Sequence, residues 1–247
     1  MTKVIEADRS FKVWWHLTRP HTLTASFVPV FLGTTIALTI EGEPINFPLF
    51  FAMLVASMLI QAATNMFNEY YDYQLGLDNE HSVGIGGTIV RHGVAPSTIM
   101  AIALSFYGIA LLLGIYICAM SSWWIAAVGL VCMLIGYLYT GGPYPIAYSP
   151  FGELVSGTVM GMGIVLIAFF IQTKTVTLEA VLLSVPSMIL VGAIMLSNNI
   201  RDIVGDKEGG RKTMAILVGR HNAVYILSLF FTVSYLWIVG LVIIEDI

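Results

Sequence analysis

The chain has 247 residues, 57% of them hydrophobic and only 11% charged, with a formal net charge of −4. Soluble domains carry about 25% charged residues, so this composition excludes a water-exposed globular surface and points to an all-α, polytopic membrane bundle. A mildly acidic chain with no dense basic patch also excludes nucleic acid as a partner, and the two cysteines, Cys118 and Cys132, sit in apolar runs without metal or redox spacing.

Residues 1–12 are polar and lack an apolar stretch with a small-residue cleavage site, so no cleaved signal peptide is expected. Seven apolar runs follow, at 22–40, 47–67, 98–119, 123–140, 151–172, 179–200 and 222–244. Each is long enough to cross about 30 Å of hydrocarbon as a helix rising about 1.5 Å per residue. A helix satisfies its own backbone hydrogen bonds, which lipid cannot do for it. The runs are continuous rather than alternating, which excludes barrel strands.

Charge asymmetry fixes an expected orientation. The N-terminus and the loops after the second, fourth and sixth runs hold Lys3, Arg9, Lys12, Arg19, Arg91, Arg201, Lys207, Arg211, Lys212 and Arg220, leaving only Lys174 opposite. The positive-inside rule places the N-terminus and these loops in the cytosol of a cell-membrane protein. Two of the loops, 68–97 and 201–221, are long and mix Asp, Asn, Gly, Arg and Lys, the composition of functional loops.

Acids and amides crowd beside both loops. Asn65, Asn68 and Asp72 recur at helical spacing on one face, and Asp78 follows Gly76, where the chain can turn back. Asn198, Asp202 and Asp206 repeat the pattern at the start of the second loop. Such density at a membrane helix end is costly unless the charge is neutralised. Carboxylate and amide oxygens suit Mg²⁺, which prefers one or two carboxylates plus substrate phosphate. The alternative is solvated helix caps and interfacial anchors. Arg91, Lys207, Arg211 and Lys212 stand beside the acids and are candidates for holding phosphate oxygens. Gly84-Ile85-Gly86-Gly87 could bring backbone N–H groups to phosphate or simply form a turn. Acids for metal, bases for phosphate and a greasy interior together suggest a diphosphate on a long apolar tail. His21, His81, His92 and His221 are irregularly spaced and suggest no zinc site.

These motifs resemble the UbiA superfamily of intramembrane prenyltransferases. Asn68, Glu69 and Asp72 match its first motif, with Glu in a usual Asp slot, and Asp202 and Asp206 match its second. The stretches 17–26, 68–78, 84–87, 139–148 and 197–213 look most like the branch that prenylates 1,4-dihydroxy-2-naphthoate for menaquinone, and Asp78, with Gly76 where other branches carry an acid, agrees. The resemblance implies Mg²⁺-dependent transfer from a polyprenyl diphosphate to the naphthoate, with loss of carbon dioxide and diphosphate, giving demethylmenaquinol. Asn68, Asp72, Asp202 and Asp206 would act at the reacting diphosphate, with Asp78 and Asn198 completing the metal set. Arg19, Tyr139, Tyr148 and Glu153 would serve the acceptor, and Tyr70, Tyr71, Tyr139 and Tyr148 could face an allylic cation. The family fold has nine helices, so this chain reads as one prenyltransferase domain over 1–247 without the last two. Another aromatic acceptor or a membrane transporter remains as an alternative, although transporters place polar groups near the midplane. A CDP-alcohol phosphotransferase is a third, but its Asp-Gly-x-x-Ala-Arg signature does not occur. Oligomeric state and prenyl chain length are not legible.

Overall fold

The computed structural model describes residues 10–78 and 87–245. Lys3, Arg9, His81, Gly84 and Gly86 lie outside the described residues. The order is α1 (Phe11–Leu17), α2 (Thr24–Thr39), α3 (Phe47–Gln74), α4 (Thr88–His92), α5 (Pro96–Met120), α6 (Trp124–Leu138), α7 (Gly152–Ser156), α8 (Ile164–Thr173), α9 (Leu178–Arg201), α10 (Ile203–Glu208), α11 (Met214–Val218) and α12 (Arg220–Glu245). A π-helical segment, Gly157–Gly163, joins α7 to α8, so the three form one apolar stretch. No strand occurs among the described residues.

Among the described residues, six helical stretches are long and apolar enough to cross a membrane: Pro20–Thr39, Phe47–Gln74, Pro96–Met120, Gly152–Thr173, Leu178–Arg201 and Arg220–Ile243. The fourth expected span, 123–140, is the shorter α6, Trp124–Leu138. The chain is therefore a multi-pass membrane protein. Its exterior agrees, with Leu112, Leu130, Leu229, Leu236 and Ile243 all exposed. Such a surface is unfavourable in water and neutral in lipid.

The expected loop at 68–97 is shorter than its composition suggests. Helix α3 begins under an Asn46 side-chain cap on the Leu49 N–H, at 3.2 Å, and continues for 28 residues to Gln74. That is about 42 Å of rise, more than the hydrocarbon needs, so its last turns carry Asn68 and Asp72 on a rigid helix. The loop at 201–221 is likewise partly helical, holding α10 and α11. Asn198, Asp202 and Asp206 do not share one unbroken helix, because α9 ends at Arg201 and α10 restarts at Ile203.

Helix α3 packs along α5, α2 along α8, and α9 against both α12 and the π-helical segment. One apolar cluster, including Leu49, Phe50, Ile117, Ile125 and Phe170, closes one end of the bundle. Another, including Leu17, Met66, Phe67, Ile89 and Ile99, underlies the end that carries the acids. Lys174 caps the Met120 carbonyl at the opposite end, at 3.1 Å. Lipid offers no hydrophobic drive between helices, so close contact needs small residues. A Cβ at Gly33 would come within 2.2 Å of the Val165 carbonyl oxygen, and one at Gly161 within 2.5 Å of the Met188 Cα.

Gly161→Ala is therefore expected to destabilise the bundle by about 1–3 kcal/mol through overpacking. Gly129→Ala, where an added Cβ meets nothing within 4 Å, is expected to be silent. Thermal unfolding in detergent checks both.

Candidate active site

A cavity of about 1220 Å³ runs down the bundle from the acid-bearing end. Its depth is apolar, walled by residues such as Ala110, Ile117, Ile125, Met160 and Ile167. Its mouth is polar. One stripe on α3 descends into it as Asp72, Asn68, Asn65, Gln61 and Ser57, at steps of three or four residues. Asn198 and Asn199 from α9, then Asp202 and Asp206, face the same space. All six expected metal ligands, Asn68, Asp72, Asp78, Asn198, Asp202 and Asp206, line this one cavity.

Arg211 joins the two motifs. Its guanidinium donates to the Asp206 carboxylate at 2.8 Å and to the Asp72 carboxylate in a short contact. The Arg211 carbon lies 5.4 Å from the centre of the Tyr148 ring, a cation–π approach. Burial works against the Arg211 charge, yet Asp72 and Asp206 hold its pKa above the ordinary value. Asp202 is held by Arg201 in a two-pronged pair at 2.7 and 2.8 Å. With arginines between the acids, no three His, Cys, Asp or Glu side chains converge as a ready metal cluster among the described residues.

Asp78 is brought in by a turn. Gly76 adopts φ +73°, a left-handed conformation that glycine takes without strain, and the Asp78 N–H reaches the Asp72 carbonyl at 3.3 Å. One buried carboxylate oxygen of Asp78 has no hydrogen-bond partner among the described residues. Burial first, then the Asp72 and Glu69 carboxylates, push Asp78 up to about 6 against the pull of Arg19 and Arg211. A buried oxygen left unpartnered beside other acids fits a cation site. The donor set, all carboxylate and amide oxygen, fits a hard divalent ion such as Mg²⁺.

The remaining expected residues separate into two groups. Arg19 and Tyr139 line the cavity. Arg91, Lys207, Lys212, Tyr148 and Glu153 do not line it. Arg91, Lys207 and Lys212 are exposed, and Lys212 docks by its backbone, its N–H donating to the Tyr148 carbonyl at 3.1 Å. Glu153 is 2% exposed and bonds Asn199 instead. Tyr71 shares a 2.6 Å hydroxyl hydrogen bond with Tyr137 away from the cavity, and Tyr70 does not line it either.

Several cavity or supporting residues were not singled out by the sequence. Arg201, Asn199, Gln61, Thr140 and Arg220 line the cavity. The Thr140 hydroxyl donates to Asn68 Oδ1 at 2.7 Å, fixing that amide from 72 residues away. No local pattern could signal such a pair. Arg201 was more accessible, since it directly precedes Asp202. Glu69 fills a motif slot but turns from the cavity. It is 1% exposed, accepts from the Ile89 N–H at 3.2 Å and faces Arg19 at 3.8 Å. It thereby ties α3 to α4 and to the segment before α2. Asn65 does similar work, donating to the Thr18 carbonyl at 3.0 Å and the Thr22 hydroxyl at 2.9 Å.

Comparison with known proteins gives a consistent result. The sequence profile described as the UbiA prenyltransferase family matches residues 26–245. The chain is 62% identical over 232 residues to the 1,4-dihydroxy-2-naphthoate octaprenyltransferase of Bacillus subtilis (strain 168), covering 94% of this chain and 74% of that protein. It is 31% identical to UbiA prenyltransferase domain-containing protein 1 of Xenopus tropicalis, covering 88% of this chain and 63% of that one. A UbiA homologue from Archaeoglobus fulgidus, solved with GPP and Mg²⁺, superposes with a TM-score of 0.70 at 15% identity, over 91% of this chain and 76% of its own.

Arg211→Met is expected to lower the thermal midpoint of the protein, because it leaves Asp72 and Asp206 as adjacent, uncompensated acids. Adding Asp72→Asn to that variant is expected to recover part of the loss. Additive losses in the double variant would show that Arg211 does not act through these carboxylates.

Proposed function

The chain belongs to the UbiA prenyltransferase family, and from that premise we propose that it transfers a polyprenyl group from a polyprenyl diphosphate to 1,4-dihydroxy-2-naphthoate. Carbon dioxide and diphosphate leave, and the product is demethylmenaquinol. The observation that carries this reading is the meeting of two acid-and-amide helix ends at the mouth of one cavity whose depth is apolar. The mouth suits a diphosphate with its cation, and the depth suits an isoprenoid tail. The 62% identity to the Bacillus subtilis naphthoate octaprenyltransferase supports the acceptor.

In this reading Asn68, Asp72, Asp78, Asn198, Asp202 and Asp206 hold Mg²⁺ at the diphosphate. Bound Mg²⁺ supplies neutralising charge to the departing diphosphate. Arg211, already between Asp72 and Asp206, and Arg201, beside Asp202, would face that charge. Arg211 keeps the phosphate role expected from the sequence and Arg201 joins it, while Arg91, Lys207 and Lys212 stand off the cavity. Arg19 and Tyr139 remain acceptor residues, Arg19 through its guanidinium toward the acceptor carboxylate. The apolar walls keep water from the allylic cation that forms as the C–O bond breaks. Residues 1–247 act as one transmembrane prenyltransferase domain in the cell membrane, with the cavity mouth facing the cytosol.

Purified protein given dihydroxynaphthoate, prenyl diphosphate and Mg²⁺ is expected to yield the decarboxylated, prenylated product by mass spectrometry, and chelation of the metal should abolish it. Asp72→Ala and Asp202→Ala should each lose at least about 100-fold in kcat, the scale of removing one preorganised electrostatic group. No product would overturn the acceptor, and wild-type rates in both variants would overturn the metal roles. A cysteine placed at Lys207 should react with an impermeant maleimide only from the cytosolic side.

A further inference from the structure

Glu153 is a charged residue in the first turn of α7, 2% exposed and off the cavity. Among the described residues its side-chain partner is Asn199, whose Nδ2 donates to Glu153 Oε1 at 2.9 Å. Its other oxygen is buried with no hydrogen-bond partner among the described residues. Burying a carboxylate with one oxygen unpartnered and no cation paired to it is expensive, so something other than packing has to account for it. The two helices are locked together here, since a Cβ at Gly192 of α9 would lie 3.1 Å from the Glu153 carbonyl oxygen. The Ser156 hydroxyl holds the same turn from below, donating to the Gly152 carbonyl at 2.7 Å.

The contact dictates which way Asn199 faces. A side-chain amide has an NH₂ end that only donates and a carbonyl end that only accepts. With the NH₂ end turned to Glu153, the carbonyl end is left to accept from another donor. Asn199 lines the cavity, three residues before Asp202, or about 4.5 Å of helix rise below it. A carbonyl oxygen at that depth attracts a hydroxyl donor and repels a carboxylate or a diphosphate. Of the two substrates, only the acceptor ring carries hydroxyl groups.

We propose that Glu153 is a positioning residue that turns the Asn199 amide so that its carbonyl accepts a hydrogen bond from a hydroxyl of the aromatic acceptor. This rests on the prenyl-transfer reading of the cavity. It replaces direct contact between Glu153 and the acceptor with contact through Asn199. It also gives a physical use to a carboxylate held in an otherwise poor environment. The hydroxyl is fixed just beneath the acids of the mouth, which sets the ring between the diphosphate end and the apolar depth.

The test is binding to the intact protein in detergent, without turnover, using 1-hydroxy-2-naphthoate and 2-naphthoate as the probe pair. Wild type is expected to bind the hydroxylated probe about tenfold more tightly, the scale of one net hydrogen bond. Glu153→Leu should erase that preference while leaving affinity for 2-naphthoate and for prenyl diphosphate with Mg²⁺ unchanged. Glu153→Gln, whose carbonyl can still accept from Asn199, should keep the preference. A structural role alone would weaken both naphthoates together, and that result overturns the proposal, as does a change confined to diphosphate binding. If Glu153→Leu does not fold, Asn199→Leu decides, because retention of the preference there overturns it equally. Wild type that binds neither naphthoate defeats the acceptor assignment itself. Wild type that discriminates while Glu153→Leu also discriminates defeats only the role of Glu153.

Discussion

One guanidinium joins the two halves of the site. Arg211 reaches Asp206 within its own loop and Asp72 on α3, 139 residues away in sequence. Without a positive group there, two helix ends bearing acids would repel each other across the cavity mouth. The pairing holds the loop after α9 over the end of α3, and Tyr148 supports the same guanidinium from its ring face.

The membrane imposes the rest of the design. Lipid cannot hydrogen-bond a stray polar group, and the amides and the acid of α3 below the mouth are met by protein partners. Asn65 is satisfied by Thr18 and Thr22, Asn68 by Thr140, and Glu69 by Arg19 and the Ile89 N–H. These contacts bind the segment before α2, α3 and α4 into one frame around the mouth. The apolar depth below supplies what the polar mouth cannot, a dry space for a long hydrocarbon chain. Among the buried side-chain atoms left without a partner among the described residues, the two carboxylate oxygens belong to Asp78 and Glu153. Unsatisfied groups of that kind are where function is most often stored.

Much was legible because its physics is local. The apolar runs gave the spans, since about 20 consecutive apolar residues have one stable solution in a bilayer. The spacing of Asn65, Asn68 and Asp72 placed them on one helix face, and all three line the cavity. Boundaries were less legible. Helix α3 continues to Gln74 because nothing in Asn68–Gln74 breaks a helix, polar though it is. Conversely, the regular spacing of Asn198, Asp202 and Asp206 hid a break at Asp202.

Sequence by itself determined that this is a helical membrane protein with two acid-and-amide motifs beside long loops, because composition, hydrophobic length and helical spacing act over one segment at a time. Only the tertiary structure decided which polar residues share a space. It set Arg211 between the motifs, left Lys207, Lys212 and Arg91 outside, and gave Thr140 to Asn68. It also moved Glu153 from the cavity wall to the position behind Asn199. Those choices depend on where separate helices cross, and side-chain pairs between crossing helices leave no periodic signal in the chain.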